Sequence, residues 1–305
     1  MKSTSRMQSA VAGSSETRSV YQIVTRQLLD LMERGQCPWR KPWQASATGL
    51  PINAVSKREY RGANTWLLGS APYSDRRWVS FKQARELGGS VRKGERSSMA
   101  VFWKLIEKND RVTDSAEGPE SVPLLRYYAV FNVEQCDGLQ LPPLVGVARH
   151  NRIESAEAMV QGMPLRPAIT ESGNEAWYMP SNDRVNVPPM GCFESADSFY
   201  GTLLHELAHA TGHESRLGRK EVRHVARFGS CEYSCEELVA ELASAFCCAT
   251  IGLDNSLLEN SAGYLTGWLS ALNHDPRMFV LAAGRAQRAA DYIMGRSEPV
   301  TDPTN

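Results

Sequence analysis

Apolar residues recur at helical spacing directly after a polar N-terminal stretch. Residues 1–18 are rich in Ser and contain no aromatic residue. They lack the apolar middle region of a secretory signal, so we predict a disordered tail. The apolar positions that follow lie mostly three or four residues apart, which predicts an amphipathic helix that ends at Gly35. These positions are Val20, Ile23, Val24, Leu28, Leu31 and Met32.

Between residues 37 and 132 the pattern changes to short apolar and aromatic runs separated by Gly, Pro and charged clusters. Runs such as RWVSF, MAVFWKLI and LLRYYAVFNV are typical of strands and predict a small domain built around a sheet. The acidic, aperiodic segment 110–123 predicts a loop between two of these strands. The prolines of LPPLVGV, at 141–147, block a continuous helix or central strand, so we place a linker there.

The second half predicts a helix over 151–161, a short hairpin in AWYMPSNDRVNVP, and helical segments over 195–212, 234–251 and 261–295. This order indicates an α+β arrangement rather than alternating βαβ units. A chain of 305 residues is longer than a single hydrophobic core usually serves. We therefore predict an α+β protein of two domains, a small sheet-based domain over 19–140 and a mostly helical domain over 141–305.

Composition and charge indicate a soluble globular protein and suggest what kind of partner it binds. With 42% apolar and 22% charged residues, the chain has the composition of a soluble globular protein. No apolar run is long enough to cross a bilayer, so we predict no membrane partner. Its seven cysteines form no spaced framework, which favours reduced thiols and a cytoplasmic location. The net charge is zero, but residues 1–136 contain 21 Lys and Arg against 13 Asp and Glu, and residues 137–305 contain 13 against 21. A basic half suggests a nucleic-acid partner, although moderate charge also serves solubility alone.

The most specific chemical pattern is TLLHELAHATGH. His205 and His209 are four residues apart, so on a helix both imidazoles face one side and can bind one metal ion. Glu206 lies beside the first histidine, where it can act as a general base. This spacing is that of a zinc peptidase, in which the metal activates a water. We predict one Zn²⁺ per chain, or another divalent transition metal, with His205 and His209 as ligands and Glu206 as the catalytic residue.

A catalytic zinc takes a third protein ligand. In CEELVAELASAF, Glu237 and Glu241 are four residues apart on one face of a predicted helix. We assign Glu237 as the ligand and Glu241 as the carboxylate that accepts a hydrogen bond from a ligand histidine. The spacing leaves the opposite assignment open. His213 is a competing ligand, but the metzincin pattern needs a histidine where this chain has Ser215, so we predict a helix-end or substrate-contact role for it.

Five of the seven tryptophans lie in the first 103 residues, among most of the basic charge. Cationic grooves and aromatic faces together bind single-stranded nucleic acid without sequence preference. Large aromatic residues are more often part of the core, and we expect this of Trp66 and Trp103, which have apolar neighbours. For contact with DNA we predict Trp39, Arg40, Lys41, Trp43, Tyr60, Arg61, Lys82, Arg92 and Lys93.

Together these motifs resemble the ArdC-type antirestriction proteins of conjugative plasmids, over nearly the whole chain from Val20. PWRKPW, YRGAN, SFKQARELGGSVRKGE and YYAVFNVEQCDGL resemble the family's N-terminal single-stranded-DNA-binding domain, a module shared with plasmid primases of the TraC type. YMPSNDRVNVPP, TLLHELAHATGH, SRLGR, RFGS and YSCEELVAELASAF resemble its zincin-type metallopeptidase domain. The chain departs from the family in a longer segment, KEVRHVAR, between Arg219 and Phe228.

The resemblance implies a cytoplasmic bacterial protein that protects incoming conjugative DNA from host restriction while that DNA enters as a single strand. Its partners would be single-stranded DNA and an unidentified protein or peptide substrate. Two other functions stay open at this point. One is a DNA-binding protein with a purely structural metal and no peptidase turnover, and the other is a peptidase whose basic half binds an acidic protein.

Overall fold

The structure is a computed structural model that describes residues 19–34, 49–107, 121–142, 152–223, 231–254 and 261–296. Its helices are α1 (Val20–Met32), α2 (Ala63–Gly69), α3 (Phe81–Glu86), α4 (Arg152–Gly162), α5 (Ala196–Ala210), α6 (Lys220–Arg223), α7 (Cys231–Ile251), α8 (Ser261–His274) and α9 (Met278–Ile293). Its strands are β1 (Ile52–Asn53), β2 (Arg77–Val79), β3 (Ser90–Val91), β4 (Ser98–Glu107), β5 (Ser121–Asn132), β6 (Cys136–Asp137), β7 (Ala168–Glu171), β8 (Trp177–Met179) and β9 (Arg184–Val187). The predicted tail and most of the predicted linker lie outside these ranges.

The first part of the chain is built around a four-stranded sheet with the order β1-β2-β5-β4. The long antiparallel pair of β4 and β5 dominates it, with Ser98 opposite Val130 and Glu107 opposite Ser121. β1 runs parallel to β2, and β3 pairs with β6 as a separate ribbon. α3 begins after Ser80, whose hydroxyl accepts a hydrogen bond from a first-turn amide at 3.2 Å. This part has the sheet that the apolar runs predict.

The second part combines a three-stranded sheet, β7-β9-β8, with helices that pack around α7. β8 and β9 form the predicted hairpin, and β7 adds to it in parallel with β9. The buried sides of α5 and α7 consist of large apolar residues that are fully buried, among them Leu204, Leu207, Leu238, Leu242 and Phe246. The protein is thus α+β with two domains, which confirms the predicted fold class.

The two domains share one hydrophobic core. Trp66 of α2 is 1% exposed, and its ring centroid lies 4.8 Å from that of Phe246 on α7. Val24 and Leu28 of α1 belong to the same buried cluster as Phe279 of α9. Burial of apolar surface contributes about 25 cal/mol per Å². The first domain therefore stabilises the helix that carries Glu237.

Polar contacts between the first domain and α9 also join the two domains. The guanidinium of Arg61 forms an ion pair with Asp291 of α9, whose side chain is 4% exposed. The next residue, Gly62, donates its amide to Gln287 Oε1 at 3.1 Å. Gly62 has a φ of 57°, a conformation that glycine adopts without steric cost. The YRGAN motif therefore mediates a contact between the domains.

Several elements differ from the predicted ones, among them β7 and α6, which were not predicted. The predicted helix over 261–295 is two helices, because Pro276 lacks an amide hydrogen and interrupts the helix between α8 and α9. α2 and α3 were not predicted, since at 7 and 6 residues they are shorter than the window in which helical periodicity is visible. Within the described ranges, no helix combines the length and apolar character that a membrane span requires.

Candidate metal centre

α5 presents two histidines on one side while its other side joins the core. Ser195 caps the helix by accepting a hydrogen bond from a first-turn amide at 3.1 Å. Its apolar side contains Leu203, Leu204 and Leu207, each at most 4% exposed. His205 and His209 lie one helical turn apart, and their Nε2 atoms are 3.2 Å apart. Both of these nitrogens can therefore reach a single ion.

α7 brings a carboxylate to the same place. Glu237 Oε2 is 3.6 Å from His205 Nε2, and Glu237 Oε1 is 3.6 Å from His209 Nε2. The ligand atoms of these three residues all lie within 4.8 Å of one another. Two imidazoles and one carboxylate form a donor set that suits zinc and related divalent metals. Glu206 is 9% exposed on α5 beside this group, whereas the competing ligand His213 is not part of it.

The electrostatics of the group are those of a cation site. Burial lowers the pKa of His205, but the contact with Glu237 and the charges of Glu241 and Glu206 outweigh it and raise the pKa to about 9. Burial raises the pKa of Glu237, yet the contact with His205 and the charge of His209 lower it to about 2. Positive charge on the histidines thus compensates the buried carboxylates. A divalent ion that displaces those protons would fulfil the same role.

Two residues that were not predicted as site residues, Glu236 and Arg219, support His209. Glu236 Oε1 lies 3.1 Å from His209 Nδ1. Arg219 donates hydrogen bonds to both oxygens of Glu236, at 2.7 and 2.9 Å. Burial raises the pKa of Glu236, but His209 and Arg219 more than offset it and hold the pKa below its ordinary value. The signals present in the sequence were the adjacent glutamates Glu236 and Glu237, and the second arginine of SRLGR.

Glu241 does not form the hydrogen bond that was predicted for it with a ligand histidine. Its Oε1 is 4.0 Å from His205 Nδ1, which is longer than a hydrogen bond. The hydrogen bond of a ligand histidine is accepted instead by Glu236, because consecutive residues of a helix point about 100° apart around its axis. Glu236 therefore reaches His209 Nδ1 from one side, while the next residue, Glu237, faces both Nε2 atoms.

The residues predicted to contact DNA fall into three groups. Those of the PWRKPW motif lie outside the described residues: Trp39, Arg40, Lys41 and Trp43. Tyr60 is 3% exposed and packs with Trp78, so its ring is part of the core and offers no face to a base. This corrects the prediction for Tyr60. Arg61 is engaged by Asp291 and serves the domain contact described above.

The third group is exposed on the first domain. The side chain of Lys82 is 87% exposed and lies 3.6 Å from Glu86. Lys93 is exposed, and Arg92 pairs with Glu95 at 2.7 Å. The two tryptophans that were predicted to be core differ in outcome: Trp66 is buried, but Trp103, in the middle of β4, is 42% exposed. The prediction for Trp103 is therefore wrong.

Models of two protein families match this chain. Residues 154–285 match a zincin-like metallopeptidase domain, and residues 18–131 match the N-terminal domain of the anti-restriction factor ArdC. The zincin-like match includes α5, α7 and the ligand group between them. The fold and the site thus define a two-domain protein with a zincin-like metallopeptidase domain.

Comparisons over nearly the whole chain agree with the two family matches. The metal-free crystal structure of the antirestriction ArdC protein from plasmid R388 is 36% identical, with a TM-score of 0.74 over 90% of this chain and 97% of that chain. Its Mn(II)-bound structure is 35% identical, with a TM-score of 0.72 over 91% and 98% of the two chains. The uncharacterised protein y4eC of Sinorhizobium fredii is 35% identical over 90% of this chain and 91% of its own length. This chain belongs to the ArdC antirestriction family.

Two DNA primases named TraC, from Escherichia coli, are also similar. They are 36% and 34% identical over 90% of this chain, but the matched region covers only 20% and 27% of the primases. The chain therefore corresponds to a part of these much longer proteins.

Proposed function

We propose that this chain protects incoming conjugative DNA from host restriction, binding single-stranded DNA through its first domain and acting as a zinc peptidase through its second. The observation that carries the enzymatic half is the group of His205, His209 and Glu237 beside Glu206, on two helices that pack together. A purely structural metal would need the ligands but gives no reason for an acid between the two histidines. In a peptidase this acid, Glu206, serves as the general base.

The geometry of the group supports the following roles. His205, His209 and Glu237 would hold the ion, and zinc with three protein ligands can also bind water or substrate. When bound, zinc lowers the pKa of a water and polarises the carbonyl of the scissile bond. Glu206 takes the proton of the attacking water and passes it to the leaving amine. Glu236 holds the Nδ1 side of His209, which leaves Nε2 free for the ion.

The assignment of the third ligand is tested by two matched variants on α7. Glu237→Ala is expected to empty the metal site, because it removes one of three ligands. Glu241→Ala keeps all three ligands and is expected to have a clearly smaller effect on affinity, because Glu241 Oε1 lies 4.0 Å from His205 Nδ1 and contributes only its charge to the site. Competition with a chromogenic chelator measures both affinities in the full-length protein. The reverse order of the two effects would exchange the roles of the two glutamates.

The identity of the metal is a separate question, since the R388 relative is known with Mn(II) bound. Two imidazoles and one carboxylate bind zinc more tightly than manganese, which is the weakest of the series from Mn²⁺ to Zn²⁺. After equilibrium dialysis of the full-length protein against equal concentrations of both ions, we expect zinc in the protein. Bound manganese under these conditions would contradict the assignment of zinc but leave the ligand group in place.

The proposed binding of DNA is supported by exposed aromatic residues on the first domain. Phe81, Trp103 and Tyr127 are 49%, 42% and 54% exposed, although large aromatic residues are on average highly buried. Because strand residues alternate between faces, Tyr127 and Phe131 share one face of β5. The ring centroid of Phe131 lies 6.4 Å from that of Phe81. Phe81 and Phe131 thus form a short aromatic strip.

Basic residues lie next to this strip. The Arg85 guanidinium lies 4.9 Å from the centroid of the Phe81 ring, and the side chain of Lys82 extends into solvent. Aromatic faces that stack on bases, together with cations that contact phosphates, are the elements of a site for single-stranded DNA. Among the described residues, Phe81, Lys82 and Arg85 are thus our candidates for the centre of the DNA contact.

Fluorescence anisotropy on matched single- and double-stranded oligonucleotides, across a salt series, tests this proposal. Phe81→Ala is expected to weaken binding by about 1–3 kcal/mol for one stacked base without changing the salt slope. Lys82→Gln is expected to lower the slope, because each phosphate contact releases counterion. Leu281→Ala is the control, since Leu281 is 43% exposed on the second domain. Equal affinity for the duplex, or loss of binding on adding a chelator, would contradict the proposed division of labour.

A further inference from the structure

The SRLGR segment, which follows the helix with the two histidines, folds two arginines back against the end of that helix. The last four carbonyl groups of a helix have no partner within it, and positive charge is favourable at this end. Arg216 Nε donates to the Ala210 carbonyl at 2.7 Å, and Arg219 Nη2 donates to the Ala208 carbonyl at 2.7 Å. Both arginines therefore cap the C-terminal end of α5.

The two arginines differ in what their remaining donors reach. Arg216 pairs with Asp183, which lies between β8 and β9, with one contact of 2.9 Å. Arg219 pairs with Glu236 through Nε and Nη2 and donates to the Thr211 hydroxyl through Nη1 at 2.7 Å. All three of its guanidinium nitrogens are engaged at a position that is 8% exposed. Lysine cannot reproduce this planar fork.

Glu236 connects Arg219 to the metal site. Its carboxylate can only accept hydrogen bonds, and its Oε1 lies 3.1 Å from His209 Nδ1. With a metal bound, the single ring proton of His209 would therefore sit on Nδ1, and Nε2 would be the nitrogen that faces the ion. That Nε2 lies 3.2 Å from His205 Nε2 and 3.6 Å from Glu237 Oε1. Arg219 is thus connected through Glu236 to the imidazole ring of His209, whose Nε2 faces the metal site.

Close packing holds the guanidinium in this place. A Cβ added at Gly212 would lie 2.4 Å from Val222 Cγ2 and 3.1 Å from Arg219 Nη2. Real Cβ atoms do not approach other atoms as closely as the first of these distances, so a larger residue at this position would displace Val222 or the end of α5. Gly212 thus lets α6 and Arg219 pack directly against the end of the metal-site helix.

We propose that Arg219 is a positioning residue of the metal site. It holds Glu236 against His209 Nδ1 and so sets the orientation and the tautomer in which His209 binds the ion. This inference rests on the proposed metal site and extends it to the SRLGR motif, which contributes no ligand.

The test compares two substitutions in the full-length protein. Arg219→Lys keeps a positive charge at the helix end but loses the fork. Its affinity for Zn²⁺, measured by competition with a chromogenic chelator, is expected to fall about 10–100-fold. The visible absorption of the Co²⁺-loaded variant is expected to change as well, because its ligand geometry changes. Arg216→Lys is the matched control: it alters a cap on the same helix end, but Arg216 does not pair with Glu236, so zinc affinity should stay at the wild-type value.

A second variant separates positioning from folding. Glu236→Gln keeps the shape of the side chain but weakens its hold on Arg219, so a similar loss of affinity is expected. The double variant should lose no more than the larger single loss, because both changes interrupt one chain of contacts. Melting temperatures of the metal-free variants show whether each one is folded.

Three results would overturn the inference: equal zinc affinities for Arg219→Lys and Arg216→Lys, additive losses in the double variant, or unchanged affinity in Glu236→Gln. The last of these decides the matter even if Arg219→Lys does not fold. A wild-type protein that binds no zinc would instead overturn the proposed metal site itself.

Discussion

Replacing His205 or His209 by Ala is expected to abolish stoichiometric binding of metal. The proposed site has three protein ligands, and the ligand atoms lie within 4.8 Å of one another. Two remaining donors in a partly buried cluster do not make a closed site, since protein zinc sites have at least three. Metal content per chain, measured by elemental analysis after dialysis, gives the result directly.

Two further variants make this prediction specific. His213→Ala is the control, because His213 lies outside the ligand group and contacts the Ser215 hydroxyl at 2.8 Å. It should keep one ion per chain. Glu206→Gln should also keep the ion but lose hydrolysis of peptides, since a general base is not a ligand. A metal-free Glu206→Gln variant would contradict the assigned role, and so would a His209→Ala variant with one bound ion.

Trp66→Ala is expected to lower the free energy of unfolding of the whole protein by about 3–5 kcal/mol. Trp66 is 1% exposed and packs on Phe246 of α7, across the boundary between the domains. Because the core is shared, thermal unfolding should remain one transition that shifts as a unit. Calorimetry measures both quantities, and Trp103→Ala serves as control because Trp103 is 42% exposed.

A different calorimetric result would contradict the shared core. Two separate transitions, of which only the first shifts in Trp66→Ala, would show that the domains unfold independently. The shared core also bears on truncation. A fragment that ends near Leu139 would lack Phe246 and leave Trp66 without its partner ring, so DNA binding is better tested on the full-length chain.

The site residues that lie together on α5 could be predicted from the sequence. The residues that α7 contributes could be predicted only in part, because their positions depend on how the two helices pack. His205 and His209 are four residues apart, and helical geometry alone places them together. Glu237 comes from a second helix, so its place depends on how α5 and α7 pack. Glu236 differs from Glu237 by a single position, and no periodicity indicates which of the two faces His209 Nδ1.

Burial of single aromatic residues was less predictable still. Tyr60 and Trp103 both lie near basic and apolar residues in the sequence, yet the structure buries Tyr60 and exposes Trp103. The outcome depends on which residues pack against each ring, and those residues are distant in the chain. For the same reason the sequence predicted the two domains but not the contact of Trp66 with Phe246, which joins them in one core.

The alternative in which the metal is purely structural makes the same prediction for the ligands but a different one for Glu206. A structural role requires no base, so Glu206→Gln would leave every measured property unchanged. In the proposed peptidase the same variant keeps its metal and its fold and loses only hydrolysis. The two accounts therefore differ in a single variant and a single assay.

The most direct test of the central claim is anomalous X-ray diffraction at the zinc edge, on crystals of the full-length protein grown with Zn²⁺. We predict one strong anomalous peak per chain, about 2.0–2.1 Å from the Nε2 atoms of His205 and His209 and about 2.0–2.2 Å from a Glu237 oxygen. Glu206 should lie close by without binding the ion. The absence of a peak between α5 and α7, or a peak bound by Glu206 in place of Glu237, would contradict the account.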